Sequence, residues 1–142
     1  MEALRHRIFA ALLALALTAA PAMAGAETWR CSATKGPVTH DLSATVEGGR
    51  VTGFDYLAST KGASDVTSCS LAPEGKPVAG PDGVTTFPLT DDDVAVARRR
   101  GDTIIFDFTR TRLSNYCGQS STIAGTLTIK AGAKRCLAVK NQ

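Results

Sequence analysis

The residues best suited to binding or reaction lie in one run, DDDVAVARRRGDTIIFDF, between Asp91 and Phe108. Its three adjacent carboxylates, Asp91–Asp93, are of the kind that bind calcium. Alternate acids on an extended segment point in opposite directions, however, and the run lacks the D-x-D-x-D-G spacing of a calcium loop. We therefore expect a solvated acidic turn and no metal site.

Three arginines, Arg98–Arg100, follow in the same run and overlap the triplet Arg100-Gly101-Asp102. Adjacent arginines can bind anions, but the neighbouring acids neutralise much of their field. The triplet spells a sequence that adhesion receptors recognise, yet Gly-Asp is also ordinary turn chemistry. We interpret the arginines as solvated charges that discourage strand-to-strand aggregation, and the triplet as the turn of a hairpin.

Side chains suited to catalysis are few. His40 is the only histidine after residue 24, and on a strand its neighbour Asp41 points to the opposite face, so it cannot orient the imidazole. The serines Ser114, Ser120 and Ser121 lack the G-x-S-x-G context of a nucleophile, and no glycine-rich phosphate loop is present. We expect a protein that is not an enzyme and has no cofactor. The alternative is a small glycan-acting hydrolase, whose two carboxylates the sequence alone cannot pair.

The first 24 residues have the organisation of a secretory signal peptide. A basic n-region, Arg5–Arg7, precedes an apolar segment, Ile8–Ala20, and Pro21–Ala24 ends in an A-x-A cleavage pattern. The apolar segment is shorter than the ~20 residues that span a bilayer, and no basic stop-transfer flank follows it. We therefore expect residues 1–24 to be removed on export, with cleavage after Ala24 or Ala26. Residues 25–142 would then form a single periplasmic or secreted domain without a membrane span.

Charge argues against two classes of partner. The whole chain carries a net charge of +3, and removal of Glu2, Arg5 and Arg7 with the signal peptide leaves +2. Nucleic-acid binding and cationic membrane binding both depend on concentrated positive charge, so we expect neither. A domain of this size can bury one core, but it is small enough for cross-links to matter.

Four cysteines supply those cross-links: Cys31, Cys69, Cys117 and Cys136. They form an even set in an exported chain, where an oxidising compartment lets disulfides persist. They are scattered and form no C-x-x-C pair, which argues against zinc. We expect two disulfides. Of the three possible pairings we favour Cys31–Cys69 with Cys117–Cys136, which joins sequence neighbours, and Cys31–Cys136 with Cys69–Cys117 is a close second.

Alternation of apolar and polar residues predicts strands throughout the domain. The apolar residues Ile104, Phe106 and Phe108 share one face, and Leu127 and Ile129 share another. Turns between such runs predict antiparallel hairpins, because glycine adopts the positive φ of tight turns without steric cost. No segment after residue 24 has a convincing apolar stripe of helical period. The sequence therefore predicts an all-β domain, a small antiparallel β-barrel or sandwich with two disulfides.

Two of these hairpins have clear sequence signals. Gly48-Gly49 separates an alternating run that contains Leu42 from the run that begins at Arg50. Ala131–Ala133 turns the chain into the last strand, in which Leu137 and Val139 are expected to fill one face. Prolines between Ala72 and Gly83 predict a linker without regular strand pairing; they are Pro73, Pro77 and Pro81.

The chain also resembles the periplasmic inhibitors of c-type lysozyme. The resemblance lies in the aromatic-x-Cys start Trp29-Arg30-Cys31, the size after export, the antiparallel β pattern and a late serine-rich segment that leads to a lysine. In that family a barrel presents a loop serine and a nearby lysine to the catalytic carboxylates of lysozyme. The resemblance implies that Ser121 and Lys130, with Gly125 between them, are the partner-binding residues. It implies a c-type lysozyme as the partner, and another exported protein or ligand is the alternative.

Overall fold

The computed structural model describes residues 25–62 and 64–142, which form ten β-strands. The predicted signal peptide, residues 1–24, lies outside the described residues. No helix within the described ranges is long and apolar enough to cross a membrane. The strands are β1 Glu27–Lys35, β2 Val38–Glu47, β3 Arg50–Lys61, β4 Val66–Leu71, β5 Val78–Ala79, β6 Val84–Pro88, β7 Val94–Arg100, β8 Thr103–Asp107, β9 Ala124–Lys130 and β10 Ala138–Asn141.

The strands form two antiparallel sheets. The four-stranded sheet has the order β1-β2-β3-β4, and the six-stranded sheet has the order β10-β9-β8-β7-β6-β5. The two sheets pack face to face as a sandwich and do not close into a barrel. This confirms the predicted all-β class and decides between its two architectures.

The core lies between the sheets and is centred on aromatic rings. Phe54 of β3 packs against Phe87 of β6 and Phe106 of β8, with ring centroids 5.1 and 5.5 Å apart. Tyr56 stacks on Phe108 at 4.8 Å. Five residues that were predicted to face inward are buried, because each strand alternates between a core face and a solvent face; they are Ile104, Phe106, Phe108, Leu127 and Ile129.

The hairpins form where turn residues predicted them. The turn between β2 and β3 is Gly48-Gly49, and Gly101-Asp102 connects β7 to β8, with Gly101 at φ 59°. This confirms the prediction that the Arg-Gly-Asp triplet forms the turn of a hairpin. The linker between Ala72 and Gly83 is less irregular than expected, because Val78–Ala79 pairs with β6.

The disulfides are Cys31–Cys136 and Cys69–Cys117, so the favoured pairing was wrong and the second was correct. Cys31 lies on β1 and Cys69 on β4, at opposite edges of the four-stranded sheet. Neighbouring strands are ~4.8 Å apart, so these two backbones are much too far apart for one disulfide. Each cysteine instead pairs with a loop segment that runs along its own edge.

Two further expectations need correction. Leu137 does not fill the core face of the last strand, because it precedes β10 and is 56% exposed, whereas Val139 is partly buried. The acidic turn is only partly solvated. Asp91 and Asp92 are exposed, but Asp93 is buried and accepts a hydrogen bond from Arg112 Nε at 2.8 Å.

Candidate ligand-binding groove

The outward face of the four-stranded sheet is polar and rich in hydroxyl groups. Strand alternation directs the core residues of β1–β4 inward, and serine or threonine occupies most of the outward positions. Those hydroxyl residues are Thr28, Ser32, Thr34, Thr39, Ser43, Thr45, Ser59, Ser68 and Ser70. Because these hydroxyl side chains are short, a ligand can approach the sheet closely, and the hydroxyls can donate and accept hydrogen bonds.

A groove of about 600 Å³ crosses this face. Strand register places its lining residues in two neighbouring rows. One row crosses β1, β2 and β3: Arg30 is opposite Ser43, and Ser43 is opposite Asp55. The next row runs from Ser32 through Asp41 and Leu57 to Ser70.

Four charged side chains line the groove, two of each sign: Arg30, Lys134, Asp41 and Asp55. The two ion pairs in the described part of the chain are Arg112–Asp93 and Lys130–Asp102, and neither involves any of these four residues. The groove therefore presents charges that no ion pair within residues 25–62 and 64–142 neutralises. Leu57, which is 41% exposed, adds an apolar surface between them.

Lys134 reaches the groove because the chain before β10 runs along the free edge of β1. The Ser32 N–H donates to the Lys134 carbonyl at 3.0 Å, and the Cys136 N–H donates to the Ser32 carbonyl at 3.2 Å. The Cys31–Cys136 disulfide fixes the same segment to β1. These contacts hold one wall of the groove against the sheet.

Asp41 and Asp55 lie on neighbouring strands in adjacent rows, as diagonal neighbours. Such neighbours are ~7–8 Å apart at the backbone, which is within reach of the carboxyl separations found in glycosidases. A glycosidase also needs one carboxyl that stays protonated, which an apolar environment provides. Both aspartates are exposed to solvent, where a ligand can contact them.

His40, the only imidazole among residues 25–142, is a core residue outside this groove. It is 1% exposed, and the Tyr56 hydroxyl lies 2.7 Å from its Nδ1. The same hydroxyl accepts a hydrogen bond from the Ala124 N–H at 2.9 Å, so it is free to donate its own proton to His40. Burial, assisted by the charge of Lys35, lowers the pKa of His40. Asp41 points to the opposite face, as the alternation predicted.

The structure does not bring Ser121 and Lys130 together. Ser121 precedes β9, and its Oγ is buried without a hydrogen-bond partner among the described residues. Lys130 ends β9, is exposed, and lies 3.6 Å from the Asp102 carboxylate. Six residue steps from Ala124, the first residue of β9, to Lys130 extend roughly 20 Å. Because the Ser121 Oγ is buried, a partner can reach Lys130 but not that hydroxyl.

Gly125, which lies between these two residues in sequence, has a packing role. A Cβ at this position would lie 3.0 Å from the Asn141 carbonyl oxygen. The Gly125 carbonyl also accepts the Phe108 N–H at 2.8 Å. Glycine therefore permits the end of β10 to approach β9 closely.

Sequence reasoning missed the four charged residues of the groove. The alternation of β2 does mark Asp41 as outward, and the same pattern on β3 marks Asp55. Their proximity to Arg30 and Lys134, however, depends on strand register and on the path of the chain before β10. Neither follows from local sequence.

Comparisons of the chain with protein-family models, with curated proteins and with solved structures found no match. We therefore base a function on the geometry of the groove and on the sequence resemblance described above.

Proposed function

We propose that this protein is an exported, non-enzymatic binding protein that holds its ligand in the groove of the four-stranded sheet. The observation that carries the proposal is a concave surface lined by four charged side chains, none of which belongs to an ion pair of the described chain. The charges in this groove therefore remain available to a ligand.

Export is supported by the two disulfides, because disulfides persist in oxidising compartments such as the periplasm. The signal-peptide pattern of residues 1–24 supports the same location. A domain cross-linked in this way keeps a preformed binding surface.

A binding role rather than a catalytic one is supported by where the reactive groups lie. His40 is buried against Tyr56 and does not line the groove. All four cysteines are in disulfides. The carboxylates, basic groups and hydroxyls of the groove suit ionic and hydrogen-bonded contacts with a ligand, and Leu57 adds an apolar contact.

A c-type lysozyme is the named candidate partner, on the strength of the sequence resemblance. Lys130 is exposed at the end of a strand beside the Gly101-Asp102 turn, where a large partner can reach it. Ser121 precedes that strand by three residues, and its Oγ is buried. Lysozyme held in the groove would also have to reach Lys130, which is on the six-stranded sheet and does not line the groove.

The test is a calorimetric titration of the exported protein with three ligand classes: a c-type lysozyme, peptidoglycan oligosaccharides and short peptides. We expect at least one class to bind the wild type. The double variant Arg30→Gln/Asp41→Asn should weaken that binding, and Lys140→Gln, an exposed charge on β10, should not. In the lysozyme titration, Lys130→Ala is expected to weaken binding and to reduce inhibition of peptidoglycan lysis.

Two outcomes would contradict the proposal. The first is that no class binds, and the second is that the double variant binds as tightly as the wild type. Hydrolysis of the oligosaccharides that requires Asp41 or Asp55 would instead show a glycan-acting enzyme. If only lysozyme fails to bind, lysozyme is excluded as the partner. The groove proposal then depends on binding of the oligosaccharides or the peptides.

A further inference from the structure

The charges of the groove are segregated by sign. The positive groups are Arg30 on β1 and Lys134 on the segment beyond the free edge of β1. The negative groups, Asp41 and Asp55, are on β2 and β3. A purely anionic ligand would face two carboxylates, and a purely cationic one would face two basic groups. The complementary ligand carries both charges at separate ends.

The distance between the charges suits a short chain. Arg30 and Asp55 lie in the same row, with β2 between their strands. Two strand spacings give roughly 10 Å between their backbones. Ser43 lies between them in the row, where its hydroxyl can bond to a peptide amide. The two termini of a di- or tripeptide can therefore meet opposite charges while its backbone crosses the sheet.

The groove is also large enough for a ligand of this length. Its volume of about 600 Å³ lies within the range of ~300–1,000 Å³ that is typical of pockets for drug-sized ligands. A single amino acid would leave much of the groove to solvent. Leu57 provides an apolar contact for one side chain of a longer ligand.

We propose that the ligand of the groove is a short peptide with free termini, its ammonium group at Asp41 and Asp55 and its carboxylate at Arg30 and Lys134. This inference rests on the proposed binding function and assigns it a ligand class. Recognition is ionic at both ends and hydrogen-bonded along the backbone. Because the groove is open to solvent, binding is salt-sensitive.

The experiment titrates the exported protein with trialanine, N-acetyl-trialanine, trialanine amide and alanine. Trialanine should bind more tightly than alanine. Each single cap should weaken binding about fivefold, which is the upper effect of one exposed ion pair. Asp41→Asn should reduce the sensitivity to the N-acetyl cap, and Arg30→Gln should reduce the sensitivity to the C-terminal amide. Lys140→Gln is the control variant and should keep both sensitivities.

The crossed pattern separates recognition from general damage, because an unfolded variant loses all binding and cannot respond to one cap alone. Equal binding of capped and free trialanine would overturn the inference, as would the absence of trialanine binding. If trialanine does not bind, but lysozyme or oligosaccharides bind the wild type and bind the double variant less tightly, the peptide assignment fails while the groove function stands. If no ligand class binds, both fail.

Discussion

At the residue scale, Asp93 is a buried carboxylate that holds two segments of the chain together. Its carboxylate accepts hydrogen bonds from the Arg112 N–H at 2.9 Å, from Arg112 Nε at 2.8 Å and from Asn115 Nδ2 at 3.2 Å. Burial alone would raise the pKa of Asp93. The hydrogen bonds from Arg112 and Asn115 outweigh it and hold the pKa below its usual value. The carboxylate thus ties the start of β7 to the loop before β9.

Replacement of Asp93 by asparagine should lower the free energy of unfolding by about 2 kcal/mol, because charge-assisted hydrogen bonds to a buried group are lost. Its pKa is lower in the folded state, so its stabilisation is present above the unfolded-state pKa and disappears as the pH falls through the folded-state pKa. Urea unfolding should be measured from neutral pH down to about pH 3. The free energy of unfolding should fall less steeply with decreasing pH for Asp93→Asn than for the wild type.

The matched control for that experiment is Asp92→Asn, because Asp92 is the exposed neighbour in the same turn. Its effect should stay within about 0.5 kcal/mol. Equal effects of the two substitutions would mean that the Asp93 network contributes nothing specific. The sequence could not distinguish Asp93 from Asp92, because the partners of Asp93 lie about 20 residues further along the chain.

At the element scale, the hairpin of β7 and β8 derives its stability from one face. Ile104 and Phe106 of β8 are fully buried, whereas Ile105 between them is 41% exposed. Ala95 and Ala97 supply the inward positions of β7, and Val94 and Val96 lie partly exposed on its outer side. The smaller residues of β7 therefore face the core.

Truncation of an inward side chain of β8 should lower the free energy of unfolding far more than truncation of an outward one. Phe106→Ala should lower the free energy of unfolding by ~3–5 kcal/mol, since it removes a ring that packs against Phe54. Ile105→Ala, one position away on the same strand, should cost less than about 1 kcal/mol. Denaturant unfolding of both variants measures the difference. Similar costs for the two would refute the assigned register of β8.

The strands and their inward faces could be predicted from sequence because alternation is a local property. Ile104, Phe106 and Leu127 were identified in this way and are buried. Burial at the edges of the sheets could not be predicted from alternation. Leu137 continues an alternating pattern, yet it precedes an edge strand, where no second layer covers it.

At the scale of the whole molecule, the two disulfides connect distant parts of the chain. Cys31–Cys136 closes a sequence separation of 105 residues and Cys69–Cys117 one of 48. The two disulfides could be predicted from the cysteine count and the signal-peptide pattern of the sequence. Their pairing could not, because it depends on which loops run along the edges of the four-stranded sheet. The groove depends on the same path, since Lys134 lies beside Cys136.

The central claim is that the outer face of the four-stranded sheet is the ligand-binding surface. Two-dimensional ¹H–¹⁵N NMR of the exported protein, titrated with trialanine, tests it most directly. We predict that the amide shifts cluster at Arg30, Asp41, Asp55 and Lys134, and that Ile105 and Val96 on the outer face of the other sheet do not move. Shifts centred on the six-stranded sheet, or none with trialanine, lysozyme or oligosaccharides, would contradict the account.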